Sequence, residues 1–318
     1  MRPPALLLSI AALSPPASGA VELFPPPAQL PPSPHYQVEV KMAEGWRASY
    51  VNFNPARTDG TGANDQPDRS MSWTSFFTRE PVRVRVTPIG SRDSGGVTIR
   101  PTRFDIRPEK SGDSSIEFEI APGQKLSVEF EAAIRENCFT GPPFGIPCII
   151  DSLMIFADQP PAVDPLAGYT ASEIARIAPG RHAESLPVAG LEGRRADRCT
   201  LGDAGGKRVI HFGPGVHELG YWQVPNTIDH LHFAPGAVVF GAIDVLPLHR
   251  SPAKIDIDLT YRDAWFKETL REKFKITGAG ILCGSKLPWH LKKDFSYHQD
   301  DHYWQHIKLV QLAATDIA

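Results

Sequence analysis

One segment of the sequence brings acids, histidines and aromatic side chains together. It covers residues 289–306 and reads WHLKKDFSYHQDDHYWQH. Asp300 and Asp301 are candidates for a general acid and a general base, because two carboxyl groups can divide the proton transfers that hydrolysis requires. On a strand these neighbours would face opposite sides, whereas on a loop either could reach a substrate. The alternative is a solvated loop without a catalytic role.

The aromatic residues of the same segment suit a sugar. Trp289, Tyr303 and Trp304 could form a stacking platform, since flat aromatic faces fit the apolar faces of pyranose rings. Packing within the loop is the alternative. His298, Asp300 and His302 alternate and would share one face of a strand. Nothing nearby orients them as ligands, so we expect no metal there.

The N-terminus has the order of a secretory signal peptide. An apolar run from Ala5 to Leu13 follows one basic residue, and Ser18 and Ala20 occupy the small-residue positions of a cleavage site. A disordered tail rich in proline and alanine is the alternative. No later segment approaches the roughly 18 apolar residues of a membrane span. We therefore expect a secreted protein with a signal peptide over residues 1–20.

Charge and cysteine content narrow the class further. A net charge of -3 and a pI near 6.4 offer no basic surface for nucleic acid, so an uncharged partner fits better. Four cysteines are too few for a disulfide-dominated fold. Cys138 and Cys148 bracket a turn-rich loop and are the expected disulfide, whereas Cys199 and Cys283 could remain free.

Residues 35–160 alternate between apolar and polar side chains. The runs VRVRVTP, SIEFEI and KLSVEFE each place apolar residues on one face, and turn-forming segments such as PIGSRDSGG separate them. This pattern is typical of half-buried strands joined by short turns. It predicts an antiparallel β-sandwich, preceded by a proline-rich leader over residues 21–34.

The C-terminal part repeats another motif. Two short strand patterns are each interrupted by Pro-Gly, and 21 residues separate Pro214 from Pro235. The later segment FKITGAGILCG has the same order of strand, small residues and strand. We interpret Gly236, Gly241, Gly278 and Gly280 as corners of a β-solenoid, in which each strand pairs with its equivalent one turn away. An antiparallel extension of the sandwich is the alternative.

These segments resemble a known family. VIHFGPGVHEL, IDHLHFAPGAVVFGAI and FKITGAGILCG, after a β-domain ending in DSLMIFADQP, are similar to glycoside hydrolase family 49, which contains dextranases and isopullulanases. The resemblance covers residues 36–318. The PGA and TGAG motifs also occur in polygalacturonase-like enzymes of family 28.

The resemblance implies an all-β protein with an N-terminal antiparallel β-sandwich followed by the start of a right-handed parallel β-helix. It also implies inverting endo-hydrolysis of an α-glucan, with α-1,6-glucan as the expected substrate, by paired aspartates and without cofactors. A non-catalytic secreted carbohydrate-binding protein and a pectin hydrolase remain the alternatives.

One departure from the family concerns the catalytic aspartates. In the family they lie several turns beyond the TGAG-like motif, whereas this sequence ends soon after it. We therefore expect the catalytic aspartates to be missing and the chain to be inactive by itself. The expected organisation is a linker over residues 161–207 and an incomplete parallel β-helix over residues 208–318, in a monomer. The linker is expected to carry one short helix around Ala171 to Ile177.

Overall fold

A computed structural model describes most of the chain. The described residues are 21–54, 70–90, 96–112, 114–135, 148–187, 195–245, 271–272, 274–284, 286, 310–311 and 314–315. The chain divides into two units, which we name by their architecture. The sandwich unit comprises Met1–Leu23 and Pro32–Pro160, and the helix unit comprises Phe24–Pro31 and Pro161–Ala318.

The sandwich unit is built from thirteen strands in its described residues. They are β1 (Val21–Leu23), β2 (Tyr36–Met42), β3 (Gly45–Ser49), β4 (Asn52–Asn54), β5 (Ser70–Thr78), β6 (Val82–Pro88), β7 (Val97–Arg100), β8 (Glu109–Ser111), β9 (Ser115–Ile120), β10 (Lys125–Phe130), β11 (Ile134–Arg135), β12 (Cys148–Ile149) and β13 (Asp151–Asp158). Two short 3₁₀ helices cover Thr102–Phe104 and Glu131–Ala133.

Two sheets enclose the core of this unit. One has the order β1-β5-β13-β10-β7, with β4 on β5, and the other has the order β3-β2-β6-β9-β8. Their inner faces share one apolar cluster, to which Val84, Ile120 and Val128 contribute fully buried side chains. Tyr36 and Phe130 stack within it at 5.6 Å between ring centroids. The alternation in the sequence thus correctly predicted which residues face inward.

One strand pair of the sandwich departs from the antiparallel prediction. β5 and β13 run parallel, in a register that pairs Ser70 with Asp151. The Ser70 hydroxyl donates to the Asp151 carboxylate at 2.5 Å, and the His35 imidazole lies 3.1 Å from the same carboxylate. Period-two alternation reports which face is buried but not the direction of the partner strand, so the sequence left this pairing undetermined.

The helix unit is also built from strands. They are β14 (Ile174–Ile177), β15 (Gly180–Arg181), β16 (Ala183–Pro187), β17 (Arg195–Cys199), β18 (Val209–Phe212), β19 (Gly215–Gln223), β20 (His230–Phe233), β21 (Ala237–Asp244), β22 (Arg271–Glu272), β23 (Lys275–Gly278), β24 (Ile281–Cys283), β25 (Val310–Gln311) and β26 (Ala314–Thr315).

From β18 to β21, and again at β23 and β24, the strands alternate between two sheets in which they pair in parallel. β16 and β17 form an antiparallel pair at the edge of the second sheet. The first sheet has the order β14-β18-β20-β23, and the second contains β19, β21 and β24, so each turn of the chain adds one strand to both. Ile177, Phe212, Phe233 and Gly278 therefore occupy one column across the first sheet. This is the arrangement of a parallel β-helix, and it confirms the predicted fold class.

Two of the predicted corners are backbone turns with positive φ. Gly236 has a φ of 81° between β20 and β21, and Gly278 has a φ of 101° at the end of β23. Gly280 lies between β23 and β24. The prediction of a corner at Gly241 is wrong, because this residue lies inside β21. There a Cβ atom would come within 2.3 Å of the Gly220 carbonyl oxygen, so Gly241 permits a close approach of two strands.

The segment expected to be a linker contributes strands to the helix unit. The short helix predicted around Ala171 to Ile177 is wrong, because Ile174–Ile177 forms β14 and pairs in parallel with β18. Ala175 and Ile177 pack against the apolar core of the unit. Alanine and glutamate favour helix locally, but pairing and burial outweigh that small preference. Among the described residues, no helix is long and apolar enough to cross a membrane.

Candidate functional site

Most sequence-predicted site residues fall outside the described part of the chain. Asp300, Asp301, Trp289, Tyr303 and Trp304 lie within residues 287–309, as do His298 and His302. Cys138 also lies outside it, and only the backbone of Cys148 is described. The catalytic pair, the stacking platform and the Cys138–Cys148 disulfide therefore stay predictions.

The structure brings together another polar group in the helix unit. Arg176, His211, His232 and Thr277 occupy one column on four neighbouring strands, because parallel pairing places them in register. Their core-facing neighbours Ile210, Phe212 and Phe233 point to the opposite side of the sheet. The imidazoles of His211 and His232 stack with 5.2 Å between centroids and 8° between planes.

A third histidine joins this column through a hydroxyl. His230 is fully buried, and its Nε2 atom lies 2.7 Å from the Thr277 Oγ1 atom. The Nδ1 atom of His232 lies 2.8 Å from the same oxygen. We call His211, His230, His232 and Thr277 the histidine cluster. Its sequence signal is the pair IHF and LHF, which repeats at the 21-residue spacing of the two Pro-Gly turns.

Burial sets the protonation of the histidine cluster. It lowers the pKa of His230 from 6.5 to about 4, with further contributions from His232 and Lys275. It also lowers the pKa values of His211 and His232, assisted by Arg176 and by His211 respectively. At neutral pH these imidazoles are uncharged, so they can exchange protons and form hydrogen bonds but cannot pair with an anion as cations.

The described residues do not assemble a metal site. No group of three or more His, Cys, Asp or Glu side chains in the described ranges could hold a metal ion. The histidine cluster contributes two stacked rings and a shared hydroxyl, which is the geometry of a hydrogen-bonded network.

Several carboxylates of the helix unit are held in ion pairs. Arg208 contacts Glu173 at 2.9 Å and Asp229 at 2.6 Å. Arg181 contacts Asp197 at 2.9 Å, and Lys286 contacts Glu218 at 2.6 Å. Hydrogen bonds from Thr170, followed by Arg208, lower the pKa of Glu173 to about 2.

Ion pairing of this kind opposes general-acid catalysis. A glycosidase acid must be protonated when the substrate binds, which requires a raised pKa. Instead the pKa of Glu173 is lowered, and Lys286 lowers that of Glu218. The paired carboxylates Glu173 and Glu218 thus stabilise the surface of the helix unit and are poor proton donors.

Known proteins are similar to this chain in sequence. No family profile matches the chain. It is 24% identical to an isopullulanase of Aspergillus niger over 83% of this chain and 41% of that protein. It is 23% identical to a dextranase of an Arthrobacter species, strain CB-8, over 81% of this chain and 39% of that enzyme. The chain spans about two fifths of the length of these curated relatives.

A solved structure extends the similarity to the fold. Dex49A from Penicillium minioluteum matches with a TM-score of 0.54 and 20% identity, over 81% of this chain and 47% of that one. Together these matches confirm the resemblance to the dextranase and isopullulanase family. Each match covers more than four fifths of this chain.

Proposed function

We propose that this chain belongs to a polysaccharide hydrolase of the dextranase and isopullulanase type. The observation that carries the proposal is the match of more than four fifths of the chain to an isopullulanase and to a dextranase. The substrate class is an α-glucan, and α-1,6-glucan is the preferred candidate. Secretion through the signal peptide at residues 1–20 and a monomeric state are part of the proposal.

The proposed chemistry is inverting hydrolysis by two carboxyl groups. One protonates the glycosidic oxygen and the other activates water, at a separation of about 6.5–9.5 Å. Glu173 and Asp229 do not suit this task, because both are bound to Arg208. We propose that the chain by itself releases no sugar, because hydrogen bonds and ion pairs keep the described carboxylates Glu173 and Glu218 ionised.

The second candidate is a secreted carbohydrate-binding protein without catalysis. Its support is the pairing of carboxylates in the helix unit, where Asp197 binds Arg181 and Glu218 binds Lys286. Binding without cleavage needs no proton donor. In both candidates Trp289, Tyr303 and Trp304 would supply the stacking surface for a glucan.

The test uses the full chain with dextran, pullulan and polygalacturonate. We expect no release of reducing ends from any of them, and retarded migration in gels that contain dextran or pullulan. A triple variant with Ala at Trp289, Tyr303 and Trp304 should migrate without retardation. Asp300→Asn and Asp301→Asn should bind as the parent does.

Two outcomes would overturn parts of this proposal. Turnover that Asp300→Asn or Asp301→Asn abolishes would establish these aspartates as catalytic and would contradict an inactive chain. Absence of binding to all three polymers, in a protein with an intact far-ultraviolet spectrum, would contradict both the hydrolase and the binding-protein candidates.

A further inference from the structure

The histidine cluster joins two neighbouring turns of the β-helix through one hydroxyl group. Thr277 lies on β23, whereas His230 and His232 lie on β20, and both imidazoles contact its Oγ1 atom. A threonine hydroxyl carries one proton and two acceptor lone pairs, so it can donate to at most one of the two imidazole nitrogens. At least one of the two histidines therefore donates to Thr277.

The burial of the His230 ring nitrogens indicates which of them carries the proton. The Nδ1 atom of His230 is buried and has no hydrogen-bond partner among the described residues. An unpaired buried N–H is rarer in proteins than an unpaired acceptor, so the proton of His230 belongs on Nε2. His230 Nε2–H then donates to Thr277, which leaves the Thr277 proton available for His232 Nδ1 at 2.8 Å from Oγ1.

We propose that the hydrogen bonds from His230 through Thr277 to His232 form an acid-sensitive link between β20 and β23. A proton added to Nδ1 of His232 removes the acceptor of the Thr277 hydroxyl. A proton added to Nδ1 of His230 places a charge in a fully buried site without a described partner. Either event weakens the attachment of β23 to the turn before it.

The stacked pair makes double protonation still less favourable. The rings of His211 and His232 lie 5.2 Å apart and nearly parallel, so two positive charges there would repel each other. His211 lowers the pKa of His232, which is the sign this repulsion requires. The hydrogen-bonded link is therefore stable when the imidazole rings are neutral.

Charged and titratable neighbours raise and lower the pKa values of the histidines in the cluster. Arg176 and His217 lower the pKa of His211, and Arg176 also lowers that of His232, whereas Asp164 raises both. Lys275 lowers and Asp229 raises the pKa of His230, and the Tyr169 ring lies 5.5 Å from it. Burial is the largest influence on each of the three histidines, so the net direction is downward.

The sign of the pH effect follows from this direction. Histidines with lowered pKa bind fewer protons when folded than when unfolded, so stability rises with pH between the two values. For His230 that range runs from about 4 to 6.5, and each pKa unit corresponds to a tenfold change. Acidification through this range should raise the equilibrium constant for opening of the link on the order of a hundredfold.

The experiment follows β20 and β23 in the full chain as pH is lowered. Amide hydrogen exchange, corrected for its intrinsic pH dependence, should show these strands losing protection below about pH 6.5. His230→Gln with His232→Gln keeps groups that form hydrogen bonds but cannot titrate, so this loss should shrink. His182→Gln is the matched control in the same unit, because His182 contacts the Ala178 carbonyl oxygen and lies outside the cluster. It should keep the parent's pH dependence.

A second measurement keeps the proposal testable if the double variant does not fold. Nitrogen chemical shifts of the parent protein should report the Nε2–H tautomer for both His230 and His232, and Thr277→Val should relax this preference. Titration of His230 at or above 6.5, or an unchanged pH dependence in the glutamine variant, would overturn the proposal.

Discussion

Phe212 and Phe233 stack in the core of the helix unit with 5.2 Å between ring centroids and 14° between ring planes. Parallel pairing of β18 with β20 puts them in register, so the ring of one turn lies on the ring of the next. A parallel β-helix buries equivalent side chains as columns, and such a column ties the stability of each turn to that of its neighbours.

Phe212→Ala should therefore destabilise the helix unit by about 3–5 kcal/mol, because Phe212 is fully buried and the cavity would lie between two turns. Amide hydrogen exchange in β18 and β20 measures the loss. Val163→Ala is the control, since Val163 is 68% exposed and its truncation should change stability by less than about 0.5 kcal/mol. Equal effects of the two substitutions would contradict stacking as a source of stability.

Gly241→Ala should destabilise the same unit by about 1–3 kcal/mol through crowding. The added Cβ atom would lie 2.3 Å from the Gly220 carbonyl oxygen, and the backbone on both sides is held by strand pairing. Gly168→Ala is the matched control, because a Cβ atom there meets open space and φ is not in the left-handed region. Urea unfolding of the two variants should separate them, and similar midpoints would argue against the close approach.

Glu173 should titrate far below an ordinary glutamate, with its pKa at about 2. Its carboxylate accepts hydrogen bonds from the Thr170 backbone N–H and from the Thr170 hydroxyl. The ionised form is favoured by folding, so this contribution to stability is present above about 4.5 and is lost as pH falls through about 2. Carboxyl chemical shifts recorded against pH give the value directly.

The Thr170 hydroxyl can be tested apart from its backbone. Thr170→Val removes one of the two hydrogen bonds and should raise the pKa of Glu173, whereas Thr170→Ser keeps the hydroxyl and should leave it near the parent's value. If valine and serine gave the same pKa, Arg208 and the backbone N–H would account for the shift.

The sequence predicted the sandwich unit well because each strand has one buried face. Val82, Val84 and Val86 are spaced by two and all are buried, as their alternation with arginine and threonine requires. The parallel pairing of β5 with β13 was not predictable in this way, since alternation carries no information about strand direction. β14 was missed because Ala175 and the preceding Glu173 favour helix locally, whereas the strand depends on a pairing that only the fold provides.

The candidate site was harder to predict from the sequence than the sandwich unit. His211 and His232 are separated by 21 residues, and only the register of β18 with β20 places their rings together. The role of Thr277 depends on a third strand, β23, whose place beside β20 follows from the pairing of whole turns. Repeat spacing could have identified His211 and His232 as a pair, but the hydroxyl that His230 and His232 share required the structure.

Cys199 should resist alkylation in the folded protein. Burial raises the pKa of its thiol to about 12, and the Leu201 backbone N–H donates to Sγ at 3.4 Å without offsetting this effect. Since the thiolate is the reactive form, iodoacetamide at about pH 8 should modify Cys199 far more slowly than it modifies free cysteine. Peptide mass spectrometry over time gives the rate at this residue alone.

In guanidinium chloride the same peptide should react at the rate of free cysteine, because unfolding removes the burial that suppresses ionisation. Fast modification of Cys199 in the native chain would contradict its packing against the apolar core of the helix unit.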